Sequence, residues 1–393
     1  MSRINEHAFE EYIAGELVAG GGYLRGNPDN FSRDLALDIS ILLKFIKDTQ
    51  DVKWEELEEI HGGEVEEKFL KRLNQELDQR GMLDCLRNGV TDFGKKFDLA
   101  YFRPVSGLNP EANALYQKNI LTVTTQVHYS KKNENSVDII LSVNGLPVAT
   151  VELKNKYTGQ DVKNAKWQYK RDRDETELLF QFKKRALVHF AMDADDVYMT
   201  TRIHGTKTKY LPFNKGNDRG AGNPVNPSGH KTSYMWEYIW TKDSWMDILK
   251  RYMHLQEEEI KVEDKIIIKE TMIFPRYHQL DAVRKLSTDA LKSGPGKNYL
   301  IQHSAGSGKS NSIAWLSYHL AGLHNTANNR IFDSVIVITD RKVLDRQLQN
   351  TIYQFEHKAG VVEKIDKNAS LREIEIALSP RREYARRFDV TNT

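Results

Sequence analysis

An aspartate, a glutamate and a lysine fall on one apolar stretch of the 393-residue chain in a pattern that could hold a metal ion. The stretch runs from 137 to 154 and contains Asp138, then Glu152 and Lys154. Glu152 and Lys154 are two apart on a strand, so they share a face. Whether Asp138 joins them depends on the hairpin register. A two-residue turn at Asn144-Gly145 pairs Val143 with Leu146 and Asp138 with Val151, which turns Asp138 away from Glu152. A three-residue loop over 143–145, with Gly145 left-handed, pairs Ser142 with Leu146 and Asp138 with Thr150. Asp138 then sits diagonal to Glu152 on the same face, roughly 7 Å away. That register also gathers Ile139, Leu141, Ala149, Val151 and Leu153 on the other face, and it is the one expected. Two such carboxylates could share Mg²⁺, a hard cation that takes oxygen ligands and keeps waters. One water would be the nucleophile, and Lys154 could orient it or neutralise charge on a phosphate. The competing reading is a solvated hairpin face with a Glu–Lys pair, since the same triplet recurs at Glu66/Lys68, Glu263/Lys265 and Glu356/Lys358.

A second group lies at 299–310. The apolar run 299–303 reads as a strand entering Gly306-Ser307-Gly308-Lys309-Ser310, with a helix after it. Glycines leave backbone N–H groups free to surround phosphate oxygens, and the helix N-terminus faces the same anion. Lys309 would reach the β and γ phosphates and the Ser310 hydroxyl would hold Mg²⁺. The full pattern has Gly where His303 stands, so the short form is the one present. An ordinary Gly-rich strand–helix turn is the competing reading. Upstream, in Phe274-Pro275-Arg276-Tyr277-His278-Gln279, the Gln279 amide could pair in both directions with an adenine edge.

The elements that must position these groups are legible in outline. Phe9, Ile13, Leu17 and Val18 recur at helical spacing until Gly20-Gly21-Gly22, and further helices fit 39–46 and 69–83. Period-two alternation covers 120–153 and returns at 187–199. The segment 163–182 reads as a charged helix, and its Lys163, Lys166, Lys170, Arg171 and Arg173 could hold a nucleic-acid backbone beside the acidic group. The stretch 212–229 is a long loop. The charged run 257–265 is the best linker candidate, and 299–339 has the strand–helix–strand grammar of a parallel sheet. Lys and Arg number 57 against 55 Asp and Glu, so the net charge is only +2 and any DNA contact needs local basic clusters. The single cysteine, Cys85, excludes an intrachain disulfide and a cysteine-based zinc site. No apolar run approaches a membrane span and the N-terminus carries no apolar signal, which points to the cytoplasm.

The spacing of Asp138, Glu152 and Lys154 resembles the D-(x)n-ExK signature of restriction-type nucleases. Gln279 and the phosphate loop resemble the adenine and phosphate motifs of superfamily 2 helicases, and 335–341 resembles their motif Ia. A nuclease followed by such a motor resembles the R (restriction and translocation) subunit of type I restriction endonucleases. Further likeness lies in Phe102-Arg103-Pro104-Val105-Ser106-Gly107-Leu108-Asn109-Pro110, Asn155, Thr158-Gly159-Gln160, Gln168-Tyr169, Leu211-Pro212-Phe213-Asn214-Lys215-Gly216 and Gly220-Ala221-Gly222-Asn223-Pro224.

The resemblance implies an α/β chain. Over 1–260 it implies a restriction-endonuclease-like PD-(D/E)xK mixed sheet with flanking helices. Over 261–393 it implies an incomplete RecA-like parallel α/β ATPase domain. It implies a type I site-specific deoxyribonuclease using Mg²⁺ and ATP, acting on double-stranded DNA with modification and specificity subunits and no membrane. Asp138, Glu152 and Lys154 would be its nuclease centre, and Glu10, or else Glu11, a further metal ligand. Gln168 would be the part of a QxxxY motif that carries over, since Asp172 stands at the tyrosine position. ATP would meet Gln279, Gly306, Ser307, Gly308, Lys309 and Ser310. No D-E-x-[HD] sequence follows Arg341, and 379–388 is charged where a strand is expected, so the motor reads as incomplete. The alternative is a nonenzymatic DNA-docking or assembly fragment with an inactive motor.

Overall fold

The computed structural model describes residues 6–105, 108–155, 159–218, 220–262, 265–339, 352, 362–364 and 387–392. They divide into two compact units, Met1–Arg103 with Glu111–Met253, and Pro104–Pro110 with His254–Thr393.

The first unit begins with helix α1 (Glu6–Ala19), which buries Phe9, Glu10, Ile13, Ala14 and Leu17. Short strands β1 (Leu24–Arg25), β2 (Phe31–Ser32) and β3 (Leu37–Asp38) lead to α2 (Ile39–Thr49), α3 (Asp51–His61), α4 (Val65–Arg80) and α5 (Met82–Asn88). A small hairpin, β4 (Val90–Asp92) and β5 (Lys95–Phe97), is followed by α6 (Pro110–Gln117). Then come β6 (Leu121–His128), β7 (Ser136–Val143) and β8 (Leu146–Leu153), the expected alternating segment. Helix α7 (Val162–Arg171) is shorter than the sequence suggests; Asp161 starts it with a capping box. Strands β9 (Val188–Met192), β10 (Val197–Thr200) and β11 (Leu211–Pro212) and helix α8 (Lys242–Asp247) complete the unit.

These strands form one mixed sheet in the order β1-β6-β7-β8-β9-β10-β11. The pairs β1/β6 and β8/β9 are parallel and the others antiparallel. Helix α1 packs on β1, β6 and β8, and α7 on β8, β9 and β10. Every residue of β8 is buried, and every residue of β7 except Ser136. This central hairpin is therefore covered on both faces, which removes the solvated-face reading.

The register at the hairpin differs from the expected three-residue loop. Val143 pairs with Leu146, leaving the two-residue turn Asn144-Gly145 with both φ positive, at 52° and 81°. Such a turn matches the strand twist. Between Leu141 and Ser142 the register then shifts, because Leu141 faces Ala149 while Ser142 faces Pro147. Val148 is the extra residue. Proline cannot donate to the ladder, and inside a sheet it is tolerated at such a bulge. Beyond the bulge Ile139 faces Val151, so one further step sets Asp138 directly across from Glu152. The expected shared face is retained, but by a tight turn plus a bulge, and the two acids are direct neighbours rather than diagonal ones.

The turn is buried as well as tight. Asn144 is fully buried; its Oδ1 accepts from Ile120 N at 2.7 Å and its Nδ2 donates to Leu99 O at 2.9 Å. A Cβ on Gly145 would lie 2.2 Å from Asp38 O and 2.8 Å from Leu42 N. Asp38 caps α2 through Ile41 N at 3.1 Å, so that helix start cannot retreat freely. Gly145→Ala is expected to destabilise the unit by about 2 kcal/mol or more, from the positive φ plus the clash. Chemical denaturation followed by circular dichroism measures this; a loss below about 0.5 kcal/mol would contradict the register.

The second unit holds an antiparallel hairpin, β12 (His254–Val262) and β13 (Lys265–Ile273). The charged run 257–265, expected as a linker, is thus largely strand. In this hairpin β-branched Ile260 faces Ile267 across the ladder, which favours pairing over a free linker. Helices α9 (Tyr277–Ser293) and α10 (Lys309–Ala321) pack together. Strands β14 (Ser334–Thr339), β15 (Val362–Lys364) and β16 (Arg387–Asn392) form a parallel sheet in the order β14-β16-β15. Two expectations change here. The apolar run 299–303 is not a strand: Leu300 is 93% exposed, and β14 takes β16 as its neighbour instead. A strand does begin at the end of the charged 379–388 stretch, where Arg387–Asn392 pairs in parallel with β14 and β15. Residues 340 and 341, the end of the segment that resembles motif Ia, lie outside the described residues, as do 342–351 and 365–386.

Candidate metal centre and phosphate loop

Register places a row of polar side chains across the middle of the first unit's sheet. Asp138 stands between Gln126 on β6 and Glu152 on β8, and Glu152 pairs with Ala191 on β9. Asp138 Oδ2 accepts the Leu153 N–H at 2.7 Å, so the carboxylate fills a ladder position where the strands part. Gln126 has a φ of 51°, which a non-glycine residue in a strand adopts only under tertiary constraint. That twist sends its Nε2 to Glu10 Oε1 at 2.7 Å, while Ser136 Oγ donates to its Oε1 at 3.1 Å.

Each ionisable group in the row has its own counterpart. Glu152 is fully buried; its Oε1 accepts from Arg173 Nε at 2.7 Å and Nη2 at 2.6 Å. Lys154 is buried too, and its Nζ donates to Glu6 Oε1 at 2.6 Å and Leu153 O at 2.8 Å. Glu6 and Glu10 are one helical turn apart on α1, so both reach the sheet. Glu11 goes elsewhere: it is exposed and pairs with Arg25, with Thr125 Oγ1 at 3.3 Å.

Burial sets the electrostatics. Loss of solvation pushes the Glu10 carboxyl up to about 8; the Gln126 hydrogen bond works against this and the Asp138 charge adds to it. Loss of solvation also raises Asp138, opposed by the Leu153 N–H and by Lys154. Glu152 is driven well above the usual carboxylate range by burial and by Asp138, with Arg173 opposing. Three acids so placed are costly unless a cation shares them.

Among the described residues, the buried oxygens Glu152 Oε2 and Glu10 Oε2 have no hydrogen-bond partner. His7 Nδ1 lies 3.7 Å from the latter. Among the described residues no three His, Cys, Asp or Glu side chains stand close enough to form a ready-made metal cage. The donor set nevertheless fits Mg²⁺, which needs one or two carboxylates and keeps waters in its other positions.

Sequence reasoning placed Gln168 near this centre. In the structure it is half-buried, and its side chain has no hydrogen-bond partner among the described residues. Arg173, read as a surface cation, turns inward instead, because the chain leaves helical geometry after Asp172 and the guanidinium pairs with Glu152. Glu6 and Gln126 were not singled out, and Arg173 was read only as a cation for a nucleic-acid backbone. For Glu6 the i,i+4 spacing to Glu10 was a usable signal, whereas nothing local marks Gln126 or Arg173.

In the second unit, Gly306 and Gly308 have φ of 72° and 81°, and α10 begins at Lys309 with Gly308 as its cap. Lys309 Nζ folds back onto His303 O at 3.3 Å and Ser304 O at 3.0 Å. Ser310 lies in the first turn of α10 and Ser307 is buried in the loop. Gln279 is engaged differently from an adenine reader. Its Nε2 donates to Gly308 O at 2.9 Å and its Oε1 accepts from Arg276 N at 2.8 Å, with the side chain buried. It braces the loop against the start of α9, and His278 Nε2 assists at Ser307 O, 3.2 Å away.

The first unit is thus a mixed α/β unit with an acidic row at its centre, and in the second a glycine loop stands at a helix start. The family model for the type I restriction enzyme R protein N terminus matches residues 4–208, and the chain belongs to that family. A SWI2/SNF2 ATPase model matches residues 278–381. The chain is 25% identical over 315 residues to a type I restriction enzyme MjaVIIIP endonuclease subunit of Methanocaldococcus jannaschii, covering 76% of this chain and 28% of that protein. It is 24% identical over 273 residues to the MjaIXP endonuclease subunit of the same organism, covering 65% and 25%. The chain thus spans about a quarter of the length of these curated relatives. No helix among the described residues is long and apolar enough to cross a membrane.

Proposed function

We propose that the first unit is a Mg²⁺-dependent DNA endonuclease of PD-(D/E)xK type, the nuclease part of a type I restriction R subunit. The observation that carries this is the buried pair Asp138 and Glu152 on adjacent central strands, with Lys154 two residues on and one carboxylate oxygen unpartnered. Asp138 and Glu152 would hold the cation, with Glu10 on the adjoining helix as the further acid. Bound there, Mg²⁺ supplies Lewis acidity and a more acidic water. The protein's own part is to fix the two carboxylates in register, keep bulk water out of the row, and present the Lys154 ammonium to the charge that builds on the phosphate. Gln168, on α7, would be a further polar group of the centre. Incubating the chain with supercoiled plasmid in Mg²⁺ or Mn²⁺ tests the reading; relaxation blocked by chelator supports it.

The second unit carries the nucleotide loop of a RecA-like motor in this proposal. The backbone of Gly306, Ser307 and Gly308 would hold the ATP phosphates, Lys309 would leave its carbonyl contacts to neutralise their charge, and the Ser310 hydroxyl would hold the Mg²⁺ ion. Gln279 holds the loop's shape and meets the adenine only by releasing Gly308. In the longer protein, ATP-driven translocation of double-stranded DNA would be coupled to cleavage, with modification and specificity subunits choosing the sequence. Lys309→Ala is expected to weaken ATP binding roughly 10–100-fold, the loss of charge-assisted contacts. Fluorescent-nucleotide titration measures it, and unchanged affinity would contradict the assignment. The docking-fragment alternative predicts DNA binding with no Mg²⁺-dependent strand breaks.

A further inference from the structure

Arg173 pairs with Glu152 inside the buried row of the sheet, and its guanidinium is the donor. Both of its short bonds, Nε at 2.7 Å and Nη2 at 2.6 Å, end on the same oxygen, Oε1. The other oxygen, Oε2, is buried and has no hydrogen-bond partner among the described residues. Glu152 is fully buried and the Arg173 side chain is 3% exposed, so solvent neither screens nor replaces the contact. Arg173 is itself held: its guanidinium lies 5.6 Å from the Tyr129 ring centroid, and a side-chain hydrogen bond joins it to Tyr129. A carboxylate gripped by a planar fork at one oxygen cannot rotate freely about its last torsion.

We propose that Arg173 is a positioning residue for the nuclease centre. It fixes the Glu152 carboxylate through Oε1 so that Oε2 is the single oxygen offered, beside Asp138, to a divalent cation. The assignment rests on the nuclease reading and goes beyond it. It also assigns Arg173 away from the DNA: a phosphate contact would have to be exposed, and this guanidinium is not.

The Arg173→Lys chain separates orientation from charge, because lysine keeps the cation and loses the fork. Tyr129→Phe is the milder second variant, leaving Arg173 in place with one fewer hydrogen bond. Mn²⁺ binding is measured by calorimetry on the full 393-residue chain, with DNA affinity measured separately in chelator. The expected result is that Arg173→Lys weakens Mn²⁺ binding on the order of tenfold. Tyr129→Phe should weaken it less, in the same direction, and DNA affinity should be unchanged in both. Nicking by Arg173→Lys should recover at high Mn²⁺. Three outcomes would overturn the proposal: unchanged Mn²⁺ affinity in both variants, tighter binding, which would make Arg173 a competitor of the metal, or weaker DNA binding with Mn²⁺ affinity intact. If Arg173→Lys does not fold, Tyr129→Phe decides by the same criterion. Absence of Mn²⁺ binding by the unaltered chain would instead sink the nuclease reading itself.

Discussion

Glu152→Gln and Lys154→Ala chains are expected to leave supercoiled plasmid intact in Mg²⁺ where the unaltered chain relaxes it. Glutamine preserves the volume of Glu152 and an acceptor oxygen, but it removes the charge that a hard cation needs. It also leaves Arg173 without its counter-ion in a fully buried place, so the loss should be essentially complete. Lys154→Ala removes one preorganised positive group from the site of developing phosphate charge. Loss of a single such electrostatic stabiliser costs on the order of 10²–10³ in rate. Strand breaks counted per time on agarose gels measure both effects. Melting curves must accompany them, because Lys154 also bonds Glu6 and the Leu153 carbonyl. Cleavage within a few-fold of the unaltered chain in either variant would remove that residue from the centre.

The second large effect concerns Glu10 and is a gain. Its carboxyl is raised to about 8 in the folded chain against 4.5 for the ordinary group. The folded state therefore binds the extra proton between those values, and stability falls as pH rises through the window. Below about pH 4.5 the cost is absent; above about pH 8 it is fully present. Glu10→Gln imitates the protonated form and keeps a partner for Gln126. It is expected to stabilise the first unit by about 2–4 kcal/mol at pH 9, with the gap closing toward pH 5. Denaturation midpoints across pH measure it. Added Mg²⁺ should raise the midpoint of the unaltered chain by mass action and that of Glu10→Gln less. A Glu10→Gln chain less stable than the parent at pH 9 would show that the charge is already compensated.

What the sequence revealed and what it concealed follow from the range of the interactions. Helix α1 and strands β6 to β8 were legible because periodicity is local: Phe9, Ile13 and Leu17 mark one face, and Ile139, Leu141, Val151 and Leu153 another. The shared face of Asp138 and Glu152 was legible for a less direct reason. It was inferred from a three-residue loop, whereas the structure reaches it through a two-residue turn and a bulge beside Pro147. Parity of the register was recoverable from the apolar pattern, and the device producing it was not. The choice of Glu10 over Glu11 waited on the packing of α1, since both lie on one helical turn. Arg173 and Gln126 were hidden because each acts across the sheet, through a buried ion pair and a left-handed backbone that no short window records. In the second unit the glycine loop announced itself by composition, yet the run before it was misread as strand. A short apolar run satisfies the pattern, but only a neighbour in the sheet makes a strand of it.

The central claim, that Asp138 and Glu152 together hold a divalent cation, is tested most directly by anomalous diffraction from Mn²⁺-soaked crystals of the chain. The account predicts one strong peak within coordination distance of an Asp138 oxygen and Glu152 Oε2, with Arg173 still on Oε1 and Glu10 facing the ion directly or through water. A manganese peak elsewhere, or a clean map in which Asp138 and Glu152 keep only their protein partners at saturating metal, would contradict it.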